Sequence, residues 1–215
     1  VDGAADLSVQ TGYWNGAAAG KTFTHPLPLE ALRARLAPGA RVLDYGCGYG
    51  RTCAELAAAG FRATGVDISD ALITRGRAEH PELDLLPFDG TRAPYADASF
   101  DACLLFAVLT CIPTDGGLAR AVAEARRLVR PGGLLVVSDY ILQTDARNLA
   151  RYAQFAPEFG RYGIFRSDGA VFRHFGRTEL PELFASEPVE WRRLIRVRTL
   201  NGHESDVVQM ILRLA

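Results

Sequence analysis

The run "SFDACLLFAVL" (99–109) is apolar at almost every position after its aspartate. A strand with one wet face alternates apolar and polar residues. A run without alternation needs cover on both faces, as in a parallel sheet wrapped by helices. Parallel strands need long crossovers, so helical segments should separate them. The chain has that order: helical spacing over 28–37, 50–60, 69–80 and 115–133, and strand-like runs at 41–45, 61–67, 83–89 and 134–140. Toward the end, 190–200 and 204–215 both read as strands, with Asn201-Gly202 between them. That dipeptide is a strong hairpin signal. The expected fold is a doubly wound α/β sheet, mostly parallel, with helices on both faces and a final antiparallel strand.

Composition narrows the function classes. At 215 residues and 48% hydrophobic content the chain suits one domain, 1–215. Its 24 basic and 25 acidic residues leave a formal charge of −1, without the basic excess of a nucleic-acid binder. Cys47, Cys53, Cys103 and Cys111 form no C-x-x-C pair, so disulfides and a zinc site are not expected. The start "VDGAADLSVQTG" has neither a basic nor an apolar leader pattern. No apolar run reaches the ~20 residues of a membrane span. These features lead to the expectation of a cytoplasmic protein, away from nucleic acid and membranes.

The stretch "VLDYGCGYGR" (42–51) ends a strand on Asp44 and then places Gly46, Gly48 and Gly50 at alternate positions. Such a turn lets a ligand approach the backbone. A phosphate-cradling Walker loop needs a lysine that is absent here. A dinucleotide turn, G-x-G-x-x-G, needs glycine where Arg51 stands. Asp67, at the end of the second strand, is placed to accept hydrogen bonds from both ribose hydroxyls, and alternatively to cap a helix. Asp89 is placed to reach an adenine amino group, and alternatively to form a turn before Gly90.

Four segments in order carry a resemblance: "VLDYGCGYGR" (42–51), "GVDIS" (65–69), "DASFDACLLFAVL" (97–109) and "EARRLVRPGGLLVVSDY" (124–140). With these the chain resembles the class I S-adenosylmethionine-dependent methyltransferases, whose fold is a seven-stranded sheet with the last strand antiparallel. The resemblance implies S-adenosyl-L-methionine as cofactor, leaving as S-adenosyl-L-homocysteine. It implies that Asp44, Gly46, Cys47, Gly48 and Gly50 form the turn around the methionine part. Asp67 is then the ribose acid, Ile68 the apolar wall, Asp89 and Gly90 the adenine edge, and Phe106 and Ala107 the end of the central strand below the methionyl group. Cys47 is a filler of the turn and not a nucleophile.

Two segments stand outside this frame and are expected to cover the methyl-acceptor pocket. The first is an N-terminal cap, about 1–37, in which Tyr13 is expected to close over the cofactor and Trp14 over the substrate, and alternatively both to pack on the first helix. The second is a lid insertion, about 141–176, read as a helix followed by a small hairpin at Asp168-Gly169. Its arginines, Arg173 among them, are candidates to orient an anionic acceptor, and alternatively form a solvated surface; Tyr152, Thr110 and Cys111 are candidate pocket residues. His174 and His25 are the candidate bases, with Tyr140 on the same rim; each histidine is alternatively a structural core residue. The expected function is methyl transfer to N, O or S of a small, anionic or aromatic molecule. RNA or protein methylation, a nicotinamide oxidoreductase and a non-catalytic cofactor-binding module are the competing readings. Amino-DNA methylation lacks its [DN]-P-P-[YF] tetrapeptide: "FAVLT" stands in that place.

Overall fold

Val42, Leu43, the run Ala102 to Leu105 and the run Leu134 to Val137 are all closed to solvent. Their strands form the middle of a seven-stranded sheet. The computed structural model describes residues 3–20, 22, 24–199 and 201–215. Val1, Asp2, Lys21, Phe23 and Leu200, hence parts of the cap and the end of the strand expected at 190–200, lie outside the described residues.

The strands are β1 (Arg41–Tyr45), β2 (Arg62–Asp67), β3 (Asp84–Pro87), β4 (Phe100–Phe106), β5 (Val129–Tyr140), β8 (Val189–Arg198) and β9 (Glu204–Arg213), in the order β3-β2-β1-β4-β5-β9-β8. The pairs among β1 to β5 are parallel, and β9 runs antiparallel to both β5 and β8. Successive residues of each central strand serve opposite faces. Leu43, Cys103, Leu105, Leu135 and Val137 pack with Leu118, Val122 and Leu128 of α5 (Asp115–Leu128). Val42, Ala102, Leu104, Leu134 and Val136 pack with Leu32 of α2 (Leu29–Arg33) and Leu56 of α3 (Arg51–Ala58). Each fully buried leucine contributes about 2 kcal/mol of transfer free energy, and the absence of alternation in the sequence follows from this double burial. Between β1 and β4 the strand order reverses, which opens a crevice at the carboxyl ends of the strands.

Three elements depart from the sequence expectation. The N-terminal segment forms a helix, α1 (Gly3–Ala17), which is not among the expected elements. Helix α2 stops at Arg33 rather than running to 37. Helix α5 ends at Leu128 and not at 133: "VRPGG" already belongs to β5, which enters the sheet through an irregularity between Phe100 and Ala102, with Gly132 at φ 70°. Proline is tolerated in such a bulge because no ladder hydrogen bond is required of it there.

The insertion folds as α6 (Ala146–Phe159), β6 (Ile164–Ser167) and β7 (Ala170–Arg173), followed by the short α7 (Glu179–Glu182). Asp145 caps α6 by accepting from the Asn148 amide, and Gly160 ends it in the left-handed region. Asp168 and Gly169 both have positive φ, 51° and 88°, joining β6 to β7 in the tight hairpin that the dipeptide called for. No helix among the described residues is long and apolar enough to cross a membrane.

Helix α4 (Asp70–Glu79) lies across the glycine turn, capped by Ser69 through the Leu72 amide. Its Gly76 is a helix-interior glycine, where alanine ordinarily gains up to about 1 kcal/mol. Here an added Cβ would lie 2.8 Å from the Tyr49 carbonyl oxygen and 2.7 Å from Leu85. Gly76→Ala is therefore expected to destabilise the protein, by about 1–3 kcal/mol as overpacking does. Chemical denaturation checks the sign.

Candidate functional site

Gly46, Gly48 and Gly50 have φ of 83°, 56° and 82°. All three lie in the region that only glycine enters at little cost, which explains glycine at every second position. The turn is tied down from its own backbone. The Gly46 and Cys47 amides both donate to the Val66 carbonyl, at 2.7 and 3.0 Å. The Gly48 amide donates to Asp67 Oδ2 and the Ser69 amide to Asp67 Oδ1, each at 2.8 Å. Each carboxylate oxygen keeps a further lone pair for a ligand.

A cavity of about 240 Å³ opens beside this turn. On the sheet side it is lined by Asp44, Gly46, Cys47, Asp67, Ile68 and Gly90, with Phe106 and Ala107 at the end of β4. Opposite them stand Tyr13 and Trp14 of α1, Thr110 and Cys111 after β4, and Tyr140, His25 and His174. Ala107 has φ 54°, a left-handed conformation that costs energy for a residue with a Cβ. Its amide donates to the Ser138 carbonyl at 2.7 Å, which fixes the bend. Tyr13 packs edge-on against Trp14 and against Phe172 of β7, so α1 and the insertion meet over the cavity. Burial pushes the Tyr13 phenol up to about 12 and the Tyr140 phenol higher still, so both stay neutral near pH 7.

Five expected residues lie outside the lining. Gly48 spends its amide on Asp67, and a Cβ on Gly50 would meet Leu85, on the β3 side of the turn. Asp89 is exposed and accepts the Thr91 amide and hydroxyl at 2.8 and 2.6 Å. The turn reading of Asp89 is therefore the one its geometry carries. Tyr152 is fully buried behind the wall, with its hydroxyl 2.6 Å from His174 Nδ1. Arg173, expected to clamp an anionic acceptor, is turned away. It is 2% exposed and paired with Asp115 at 2.7 Å and with Glu179. Those ion pairs fasten β7 to the starts of α5 and α7.

The cavity also takes Gln10, Arg51, Arg120, Arg147 and Arg151. Gln10 and Arg120 go unremarked in the sequence, and Arg51 figures there only as the residue that breaks a dinucleotide turn. The available signal for Arg51 was its position directly after the last glycine of the turn, opening α3. Arg147 and Arg151 are the two insertion arginines that do face the cavity. Arg151 also stacks on Phe165, its guanidinium carbon 3.6 Å from the ring centroid. A further acid, Asp139, closes β5 and accepts from the Thr110 and Tyr140 amides at 3.1 and 2.8 Å.

The electrostatics of this pocket follow from burial. Desolvation lifts Asp44 to about 7, against the pull of Arg51, and lifts Asp139 to about 7. It lifts Asp67 to about 6, although backbone amides of Ser69 and Gly48 oppose it. The histidines move the other way. Burial, then Arg51, lowers His25 to about 4; burial, then Arg151 and Arg147, lowers His174 to about 3. Near pH 7 both imidazoles are neutral. Such carboxylates are best satisfied by a ligand bearing its own positive charge and hydroxyl donors.

Residues 43–137 match a family model described as a methyltransferase domain. A demethylmenaquinone methyltransferase from Beutenbergia cavernae is 40% identical over 113 residues, 52% of this chain and 45% of that protein. A malonyl-[acyl-carrier protein] O-methyltransferase from Erwinia pyrifoliae is 37% identical over 112 residues, 51% of this chain and 41% of that one. The chain thus spans less than half the length of either relative. Among solved structures, a SAM-dependent methyltransferase from Methanosarcina mazei superposes with a TM-score of 0.81 at 22% identity, covering 88% of this chain and 98% of that one. The sheet order, the glycine turn with its strand-end acids and the matched domain come together in one assignment: residues 43–137 carry a methyltransferase domain, on the fold of the S-adenosylmethionine-dependent methyltransferases.

Proposed function

We propose that the chain transfers the methyl group of S-adenosylmethionine to a small-molecule acceptor by in-line displacement. One observation carries this reading: a single cavity contains both the buried acids of the glycine turn and the aromatic wall formed by α1 and the insertion. When bound, S-adenosylmethionine supplies an electrophilic methyl on a positively charged sulfur. In our reading Asp67 receives the ribose hydroxyls, Ile68 and Phe88 flank the base, and Asp44 faces the methionyl end with its ammonium. These roles fit the charge of the pocket, because a cationic ligand relieves the desolvation that raises Asp44 and Asp67.

The chain's own part in the transfer is alignment and exclusion of water. Tyr13, Trp14 and Phe172 cover the mouth, and we assign the insertion the role of a lid. Arg147 and Arg151 supply positive charge toward an anionic or aromatic acceptor. His25, His174 and Tyr140 orient the acceptor rather than deprotonate it, since both imidazoles hold protons weakly and the phenol stays neutral. The acceptors named for the two relatives, a demethylmenaquinone and a malonyl thioester on a carrier protein, are the first to test. Formation of S-adenosylhomocysteine with either acceptor, or with a panel of small aromatic acids, tests the activity.

Three outcomes are expected. Asp67→Ala should weaken S-adenosylhomocysteine binding by about 1.5–3 kcal/mol, the range for hydrogen bonds to a charged group; unchanged affinity in calorimetric titration would remove Asp67 from the ribose site. Affinity for S-adenosylmethionine should also fall with pH. In the free protein Asp44 and Asp67 take up protons below about 7 and about 6, and the ionised forms are the ones that bind. The loss should therefore appear between pH 7.5 and 5.5, by up to about tenfold per unit for each proton that must leave, and Asp44→Asn should flatten its upper part. Ile141 and Phe175 are core residues, so the lid is tested by replacing only 144–172 with a Gly-Ser loop. Cofactor affinity should stay within a few-fold while transfer is abolished; full activity would show that the insertion does not shape the acceptor site.

A further inference from the structure

We propose that His25 and His174 are fixed as two neutral N–H donors, both packed on Tyr140, that recognise an oxygen on the methyl acceptor: a carbonyl, carboxylate or phenolate. The proposal rests on the reading of this cavity as the acceptor site of a methyltransferase. It follows from two hydrogen-bond relays that set the tautomer of each ring from behind.

The first relay starts at Arg193, whose Nε donates to Gln209 Oε1 at 2.8 Å. An arginine only donates, so the orientation of the Gln209 amide is settled. Its NH2 group then donates to the Pro26 carbonyl at 2.8 Å and to Ser138 Oγ at 3.1 Å. Ser138 is fully buried, and its Oγ lies 3.1 Å from His25 Nδ1. If the Ser138 hydroxyl donates to Nδ1, the relay is satisfied and only the Nε2–H is left without a partner. If Nδ1 carried the proton instead, both the Ser138 hydrogen and the Nε2 lone pair would have no partner among the described residues. The proton therefore sits on Nε2. That atom is buried and has no partner, on the ring edge away from Ser138, in a residue that lines the cavity.

The second relay starts at the Gln143 amide, which donates to the Tyr152 hydroxyl oxygen at 3.2 Å. Among the described residues no other acceptor stands at hydrogen-bond distance from the phenol, so its hydrogen goes to His174 Nδ1 at 2.6 Å. His174 is thereby also held with its proton on Nε2. Tyr152 lies outside the cavity lining and His174 within it, so the edge left for a ligand is the donor edge. The ring centroids of His25 and His174 lie 4.9 and 5.3 Å from that of Tyr140, and the His174 ring stacks on it at 18°. A flat acceptor against these rings meets N–H groups and no imidazole lone pair. Ser138 and Tyr152 are positioning residues in this scheme.

Long-range 1H–15N correlation on the whole 15N-labelled chain tests it, with His25→Gln and His174→Gln spectra for assignment. Both residues should show a protonated Nε2 and an unprotonated Nδ1 at pH 7.5. With the protein saturated in S-adenosylhomocysteine, benzoate as the oxygen probe should shift both Nε2–H protons downfield, and benzylamine should not. Tyr152→Phe, which keeps the ring and removes the relay, should give His174 a mixed tautomer and leave His25 unchanged. A protonated Nδ1 on either wild-type histidine, benzoate failing to move either resonance up to its solubility, or equal response to benzylamine would each overturn the proposal. Calorimetry with S-adenosylhomocysteine on the same samples separates the two readings. Cofactor binding together with the wrong tautomers sinks only the donor pair; absence of cofactor binding sinks the methyltransferase reading beneath it.

Discussion

The carboxylate of Asp67 joins three pieces of backbone at one buried point. Its two oxygens take the amides of Gly48 and Ser69, one from the glycine turn and one from the entry to α4. Amides in a turn of left-handed residues have no ladder partner, and leaving one buried and unmade is costly. With that acceptor in place the turn closes on β2, Ser69 caps α4, and α4 lies close enough for Gly76 to touch the Tyr49 backbone. The same burial that shields these bonds disfavours the charge that makes them strong, as the raised Asp67 shows. The structural bracket is the same group that we propose as the ribose acid.

Acids close three parallel strands of the sheet: Asp44 on β1, Asp67 on β2 and Asp139 on β5. All three are buried, and all three are pushed upward by desolvation. A parallel sheet brings such residues together because its strands end on one edge, and the reversal of order between β1 and β4 makes room beside them. Asp44 and Asp67 face the cavity, whereas Asp139 spends both oxygens on the loop and strand-end amides of Thr110 and Tyr140. The fold thus concentrates negative charge where a cationic ligand would lie, and the insertion brings the compensating arginines from the other side.

How much of this could be read from the residues depended on whether the cause was local. The central strand showed itself as an unbroken apolar run because both its faces are buried. The glycine turn showed itself because positive φ selects glycine at alternate positions. Asp168-Gly169 announced a hairpin for the same reason. Helix α1 was illegible. Gly12 and Gly16 disfavour a helix, and what holds it is distant: Asn15 receives the Ser69 hydroxyl and the Ala71 amide, and Tyr13 packs on Phe172. Arg173 was misread because a charge in a loop-rich segment gives no sign of its direction. Only the folded chain shows Asp115 and Glu179 waiting for it. Asp89 carried two meanings in sequence, and the adjacent Thr91 amide and hydroxyl took it for the turn.

Gln10 has a consequence for how the molecule opens. Its side-chain amide donates to the carbonyls of Cys111 and Val171 and accepts from the Val171 amide. One residue of α1 is thereby hydrogen-bonded to the loop after β4 and to the hairpin of the insertion at once. A helix with two interior glycines has little stability of its own, so its hydrogen bonds persist only while that docking persists. Amide protons along α1 and those of β7 should then exchange with solvent at a common rate set by one opening event, well ahead of the amides of β4. Opening of the cavity mouth would then coincide with undocking of the first helix, and exchange along α1 would report on both.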